Sequence, residues 1–99
     1  MINNKISVIL PTYNEKDNII PLIDEIFTYL NKNIFEIIVV DDDSPDETWK
    51  LVEKKSKECP NIHLLRRQNK RGLTSALNDG INKSTGDIVV WMDCDFQQP

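Results

Sequence analysis

Four short apolar runs, at residues 6–10, 35–40, 62–65 and 88–92, alternate with three segments in which apolar residues recur every three or four positions. Short continuous apolar runs are typical of buried strands, and the three-to-four spacing is typical of amphipathic helices. Strands that alternate with helices of about 10 to 15 residues predict right-handed crossovers and a parallel sheet with helices packed on it. The predicted fold is therefore α/β, with the element order β-α-β-α-β-α-β.

The second predicted helix begins with the clearest local signal in the chain. Ser44 is a favoured N-cap residue, Pro45 suits the first helical position, and Glu47 suits the third, so that together they form a capping box. The capping box predicts that this helix starts directly after Ser44.

The strand order follows if the first three strands wind in one direction and the fourth returns beside the first. That Rossmann-like sheet has the order 3-2-1-4, with its switch point between strands 1 and 4, where ligands bind at the carboxyl ends of the strands. Four polar segments, at residues 12–17, 41–43, 66–71 and 93–95, each follow a strand. We expect all four to lie at one edge of the sheet.

Composition excludes several classes of protein. The chain has 99 residues, which is enough for one small domain, and its 16 acidic against 12 basic residues argue against a nucleic-acid surface. No apolar run approaches the roughly 20 residues that cross a bilayer, and no signal peptide precedes the first strand, so we predict a cytoplasmic location. The three glycines make neither a dinucleotide fingerprint nor a P-loop, which excludes NAD-type dehydrogenases and P-loop NTPases.

The pair Asp93 and Asp95 follows the fourth predicted strand. Two carboxylates two positions apart in an extended turn can point to the same side and offer hard oxygen ligands to Mg²⁺ or Mn²⁺. Gln97 could add an amide oxygen to the same cation. The alternatives are an Asp-x-Asp sequence that occurs by chance in a loop and a solvated Gln97.

Two further groups are predicted at the same edge. Asp42, within the acidic run 41–43, could accept a hydrogen bond from the N–H edge of a nucleobase. The alternative is that the acidic residues complement the dipole of the following helix, which explains Asp43 and Asp46 better than Asp41 and Asp42. The only basic cluster comprises Arg66, Arg67, Lys70 and Arg71, and its alternative reading is a solvated loop.

With those residues assembled, the chain resembles the N-terminal nucleotide-sugar-binding half of glycosyltransferase family 2, which has the GT-A fold. The resemblance is strongest to polyprenyl-phosphate sugar synthases such as dolichyl-phosphate mannose synthase. It rests on four collinear stretches, SVILPTYNE at 7–15, IVVDDDSPD at 38–46, RGLTSA at 71–76 and GDIVVWMDCDFQQP at 86–99.

The resemblance implies a role for each matched residue. Pro11, Tyr13 and Glu15 would line the nucleoside pocket, and Asp42 would bind the base. Arg71, with Lys70 as a possible second cation, would reach the diphosphate. Asp93, Asp95 and Gln97 would hold Mg²⁺ or Mn²⁺ on that diphosphate, with Asp95 as the catalytic residue.

The reaction implied is an inverting transfer of a sugar from GDP-mannose or a UDP-sugar to a lipid acceptor such as a polyprenyl phosphate. The full-length protein would then work at the cytoplasmic face of the membrane. The competing class is a non-catalytic α/β module such as a receiver-like domain, which would need an acidic pair after strand 1. Strand 1 instead ends in Pro11 and Thr12.

The resemblance covers almost all of residues 1–99, which would be only the nucleotide-sugar-binding part of such an enzyme. We therefore expect the chain to be a fragment that lacks the acceptor half and is inactive alone. The fourth strand would have an uncovered apolar side, which predicts self-association through its edge.

Overall fold

The structure is a computed structural model that describes residues 5–30 and 35–94. The predicted sites at Asp95 and Gln97 lie outside the described residues. Seven elements follow one another in the predicted order: β1 (Ile6–Thr12), α1 (Ile19–Tyr29), β2 (Phe35–Asp41), α2 (Thr48–Glu58), β3 (Ile62–Arg66), α3 (Leu73–Lys83) and β4 (Ile88–Trp91).

The four strands form one parallel sheet in the order β3-β2-β1-β4, which confirms the predicted order. The register pairs Ile6 of β1 with Phe35 of β2 on one side and with Ile88 of β4 on the other. The switch point therefore lies between β1 and β4, as the sequence predicted.

The core lies on both faces of the two central strands. Val8, Leu10, Ile37 and Val39 pack with buried residues of α1 and α2, whereas the alternate residues Ile9, Ile38 and Val40 pack with Ala76 of α3. All seven residues of β2 are buried, which confirms that this strand is covered on both faces. None of the described helices is long and apolar enough to cross a membrane.

Strand β4 differs from the other strands because its apolar side chains are open on both faces. Its four residues are between 39% and 49% exposed. Ile88 and Val90 line a cleft beside α1, and Val89 and Trp91 line another beside α3. Self-association through β4 stays a prediction.

Helix α2 begins at Thr48 rather than after Ser44, so the predicted capping box is wrong. The Ser44 hydroxyl donates to Asp41 Oδ1 (2.7 Å) and accepts from the Asn14 N–H (2.9 Å). It is therefore not available to cap a helix. Asp46 accepts from the N–H of Thr48 instead, at 3.0 Å.

A buried carboxylate joins β4 to the sheet at the amino ends of the strands, opposite the switch-point edge. Glu36 accepts hydrogen bonds from the Ser7 hydroxyl (2.6 Å) and from the Thr85 N–H (2.7 Å), and it lies 3.5 Å from His63 Nε2. The N–H of Gly86 donates to the hydroxyl oxygen of Ser7 at 2.8 Å. This network fixes the turn that leads into β4.

We expect Glu36→Gln to be less stable than the parent chain by about 1–2 kcal/mol at pH 7, because the amide keeps the shape but loses the charge-assisted hydrogen bonds. Burial alone would raise the pKa of Glu36, but the hydrogen bonds from Ser7 and Thr85 and the charge of Lys5 together lower it below its usual 4.5. A lowered pKa stabilises the fold above the unfolded-state value, and that stabilisation is lost as the pH falls through the folded-state value.

The stability difference between parent and variant should therefore shrink as the pH falls below the usual value of 4.5. Urea unfolding at a series of pH values measures it. The exposed Glu25→Gln serves as the control, with no expected difference at any pH. A difference for Glu36→Gln that does not change with pH would contradict the assignment.

Candidate functional site

A cleft of about 340 Å³ opens at the carboxyl ends of β1, β2 and β4, beside the start of α3. This volume is within the usual range of about 300–1,000 Å³ for small-molecule sites. Of the predicted nucleotide-binding residues, all except Lys70 line it. The lining comprises Pro11, Thr12, Tyr13, Glu15, Asp42, Arg71, Gly72, Leu73, Ala76 and Asp93.

At one side of the cleft, Arg71 stacks on Tyr13. The guanidinium carbon lies 4.6 Å from the centre of the ring, and Nη2 donates to the Tyr13 hydroxyl at 3.0 Å. Both side chains are exposed. A positive charge is thus held at the cleft by a cation–π contact and one hydrogen bond. The other N–H donors of the guanidinium have no acceptor within the described residues and can bind an anionic ligand.

Asp42 is the buried carboxylate of the cleft. Its Oδ1 accepts from Arg67 Nε (2.7 Å), and its Oδ2 accepts from Arg67 Nη2 (3.0 Å) and from the Gly72 N–H (3.1 Å). Gly72 has a φ of 114°, a conformation that side chains rarely adopt, and it directs this N–H at the carboxylate. The predicted contact of Asp42 with a nucleobase stays a prediction.

The loop after β1 is tied to the segment before α2. The N–H of Glu15 donates to the Thr48 hydroxyl at 3.0 Å, and the N–H of Lys16 donates to Asp46 Oδ2 at 3.1 Å. Burial would raise the pKa of Asp46, but its hydrogen bonds with Thr48 and Lys16 outweigh burial and lower it. These contacts hold Tyr13 and Glu15 in place at the cleft.

The basic cluster does not act as one patch. Arg66 pairs with Asp43 and lies over the Trp49 ring, with its guanidinium carbon 3.6 Å from the ring centre. Lys70 pairs with Asp79 at 3.4 Å and is not part of the cleft lining. Within the described part of the chain, Arg71 is the member of the cluster that reaches the cleft.

Arg67 is the functional candidate that the sequence interpretation missed, because it was counted with the exposed loop. Its side chain is only 3% exposed. The strand register pairs Asp41 with Arg66, which brings the next residues, Asp42 and Arg67, side by side. A predicted register could have indicated this pair, but composition and spacing could not.

Asp93 enters the cleft from the end of β4. Its side chain is exposed and has no hydrogen-bond or ion-pair partner among residues 5–30 and 35–94. Within those residues, no three His, Cys, Asp or Glu side chains are arranged to hold a metal ion. Asp93 supplies one hard oxygen ligand of the kind that Mg²⁺ and Mn²⁺ prefer, and in that respect fits the predicted metal site. The adjacent Cys94 is buried in the core.

The sequence model of glycosyl transferase family 2 matches residues 7–99. The chain belongs to this family. Membership confirms the resemblance that the four sequence stretches indicated, and it favours a transferase over a receiver-like module.

Curated members of the family cover nearly the whole chain. It is 44% identical over 95 residues to a dolichol-phosphate mannosyltransferase of Pyrococcus furiosus, matching 96% of the chain and 27% of that protein. It is 38% identical over 96 residues to the dolichol-phosphate mannosyltransferase of Saccharomyces cerevisiae, matching 94% of the chain and 36% of that protein. The chain thus spans about a third or less of these relatives.

Solved structures agree with the fold. A mannosyltransferase of Pyrobaculum calidifontis, in complex with GDP-Man and Mn²⁺, superposes with a TM-score of 0.85 at 33% identity, covering 96% of the chain and 28% of that protein. TarS of S. aureus, in complex with UDP-GlcNAc, superposes with a TM-score of 0.81 at 33% identity, covering 92% of the chain and 26% of the TarS chain. The sheet is therefore the N-terminal part of a GT-A fold.

Proposed function

We propose that this chain is the nucleotide-sugar-binding part of a glycosyltransferase that transfers a sugar, with inversion, to a polyprenyl phosphate at the cytoplasmic face of a membrane. The observation that carries the proposal is the cleft at the switch point. It brings Tyr13, Asp42, Arg71 and Asp93 around one space in a chain of this family.

Two relatives at 44% and 38% identity are dolichol-phosphate mannosyltransferases, and this favours GDP-mannose as the donor. A relative from Proteus mirabilis, 33% identical over 100 residues, is an undecaprenyl-phosphate 4-deoxy-4-formamido-L-arabinose transferase. These names share a polyprenyl phosphate and differ in the sugar. They support the acceptor class more strongly than they support one donor.

In the proposed mechanism, Asp42 accepts a hydrogen bond from the base of the donor, and Arg71 neutralises part of the diphosphate charge. Asp93, together with Asp95 and Gln97, would hold a divalent cation. That cation, when bound, supplies charge neutralisation for the departing nucleoside diphosphate. The acceptor phosphate is already an anion, so its attack on the anomeric carbon needs no general base from the protein.

We expect GDP with Mn²⁺ to raise the melting temperature of the chain, and UDP with Mn²⁺ to raise it less. A ligand at 100 times its dissociation constant stabilises the folded state by about 2.7 kcal/mol. Thermal denaturation with Mn²⁺ alone, and with ADP and Mn²⁺, provides the controls, and neither should match GDP. If neither GDP nor UDP stabilises the folded chain at millimolar concentration with metal, the proposed function is wrong.

A further inference from the structure

Arg67 crosses from the end of β3 to α3 under the cleft and uses every N–H of its guanidinium. Nε donates to Asp42 Oδ1 (2.7 Å), and Nη2 donates to Asp42 Oδ2 (3.0 Å) and to the Gly72 carbonyl (3.1 Å). Nη1 donates to the Ser75 hydroxyl (2.9 Å) and to Asp79 Oδ2 (3.1 Å).

This geometry argues against a direct role for Arg67 in binding phosphate. A guanidinium has five N–H donors, and here each of them already has an acceptor within the protein. The side chain is also buried, unlike that of Arg71. A diphosphate in the cleft would find donors on Arg71, and none on Arg67.

We propose that Arg67 is a positioning residue for nucleotide recognition, which fixes the Asp42 carboxylate and the start of α3 relative to each other. The inference rests on the proposed function, because it assumes that Asp42 contacts the base of the nucleotide. Arg67 holds Asp42 through a two-point pair and holds α3 through Ser75 and Asp79. The side of the cleft that carries Asp42 and the side formed by the start of α3 are therefore fixed relative to each other before a ligand binds.

The ion pair also fixes the orientation of the Asp42 carboxylate, since both of its oxygens accept from the same guanidinium. Without the two-point pair with Arg67, the plane of this carboxylate is no longer fixed. Lysine cannot replace arginine here, since a single ammonium carries three donors on one atom and cannot reach Asp42, Ser75 and the Gly72 carbonyl together. Arg67→Lys therefore keeps the positive charge but loses the simultaneous contacts of the guanidinium.

The test compares two ligands in four forms of the chain by isothermal titration calorimetry with Mn²⁺ present. The ligands are GDP and inorganic pyrophosphate, and the forms are the parent, Arg67→Lys, Asp42→Asn and the double variant. We expect Arg67→Lys to weaken GDP binding about tenfold or more and to leave pyrophosphate binding unchanged. Because Arg67 acts through Asp42, the double variant should bind GDP no more weakly than Asp42→Asn alone.

The matched control is Arg66→Lys, since Arg66 is the preceding arginine and pairs with Asp43 outside the cleft lining. Its GDP affinity should equal that of the parent. If Arg67→Lys does not fold, as judged by circular dichroism, Asp79→Ala removes one of the α3 acceptors of Arg67 while leaving the pair with Asp42, and it should still weaken GDP binding several-fold.

Three results would overturn the inference while leaving the proposed function intact. They are a parent-like GDP affinity in Arg67→Lys, equal losses of GDP and pyrophosphate binding, and additive effects in the double variant. If Arg67→Lys is unfolded, a parent-like GDP affinity in Asp79→Ala would overturn the inference in the same way. A parent chain that binds neither GDP nor UDP with Mn²⁺ would instead overturn both proposals together.

Discussion

Replacing Asp93 by Asn should weaken Mn²⁺-dependent GDP binding by about 100-fold or more, because it removes a charged oxygen ligand from the cleft. Asp93 is exposed and has no partner within the described residues, so the folded state should lose little stability. Calorimetric titration of GDP with and without Mn²⁺ measures the effect, and the metal-free affinity should barely change.

Asp17→Asn is a suitable control for Asp93→Asn, since Asp17 is also exposed and is absent from the cleft lining. The control should bind GDP with the affinity of the parent in both conditions. An Asp93→Asn chain whose GDP affinity still rises with Mn²⁺ as in the parent would show that Asp93 does not hold the metal.

Gly86→Ala should destabilise the chain by about 3 kcal/mol, the largest loss that we expect from a single methyl group. A Cβ at this position would lie 2.5 Å from Ser7 Oγ, 2.7 Å from the Lys5 carbonyl oxygen and 2.8 Å from the Ser7 nitrogen. Two of these atoms belong to the backbone at the start of β1, so the turn into β4 has to move. Urea unfolding at pH 7 measures the loss.

Two further variants identify the cause of that loss. Ser7→Ala combined with Gly86→Ala removes the closest atom but keeps both backbone contacts, so it should recover little stability. Asn82→Ala, at an exposed position of α3, should change stability by no more than about 0.5 kcal/mol. A Gly86→Ala chain as stable as the Asn82→Ala chain would refute the close approach of Gly86 to β1.

The order of strands and helices along the chain could be predicted because each apolar run and each helical stripe is a local pattern. The start of α2 could not, because Ser44 has partners that lie far along the chain or on the preceding strand. Its hydroxyl is used by Asn14 and Asp41. A capping box predicts a helix start only where the serine has no better partner, and that is a property of the tertiary structure.

The difference between local patterns and tertiary contacts also explains why four site residues could be predicted and Arg67 could not. Tyr13, Asp42, Arg71 and Asp93 were placed at one edge because residues that follow parallel strands meet there, whatever their side chains do. The burial of Arg67 depends instead on the register of β2 with β3 and on acceptors from α3. Charge counting therefore could not distinguish it from Arg66.

The central position of β1 determines the order in which the sheet can assemble. Ser7 on β1 and Glu36 on β2 are 29 positions apart, whereas Lys5 and Asp87, which meet at the amino end of the β1–β4 ladder, are 82 apart. Closing the longer loop costs about 1 kcal/mol more in chain entropy, so β4 should dock after β1, β2 and β3 have paired. At synthesis rates of about 5–20 residues per second, β4 emerges from the ribosome seconds after β2, and until β4 docks the edge of β1 that faces it has unpaired backbone groups.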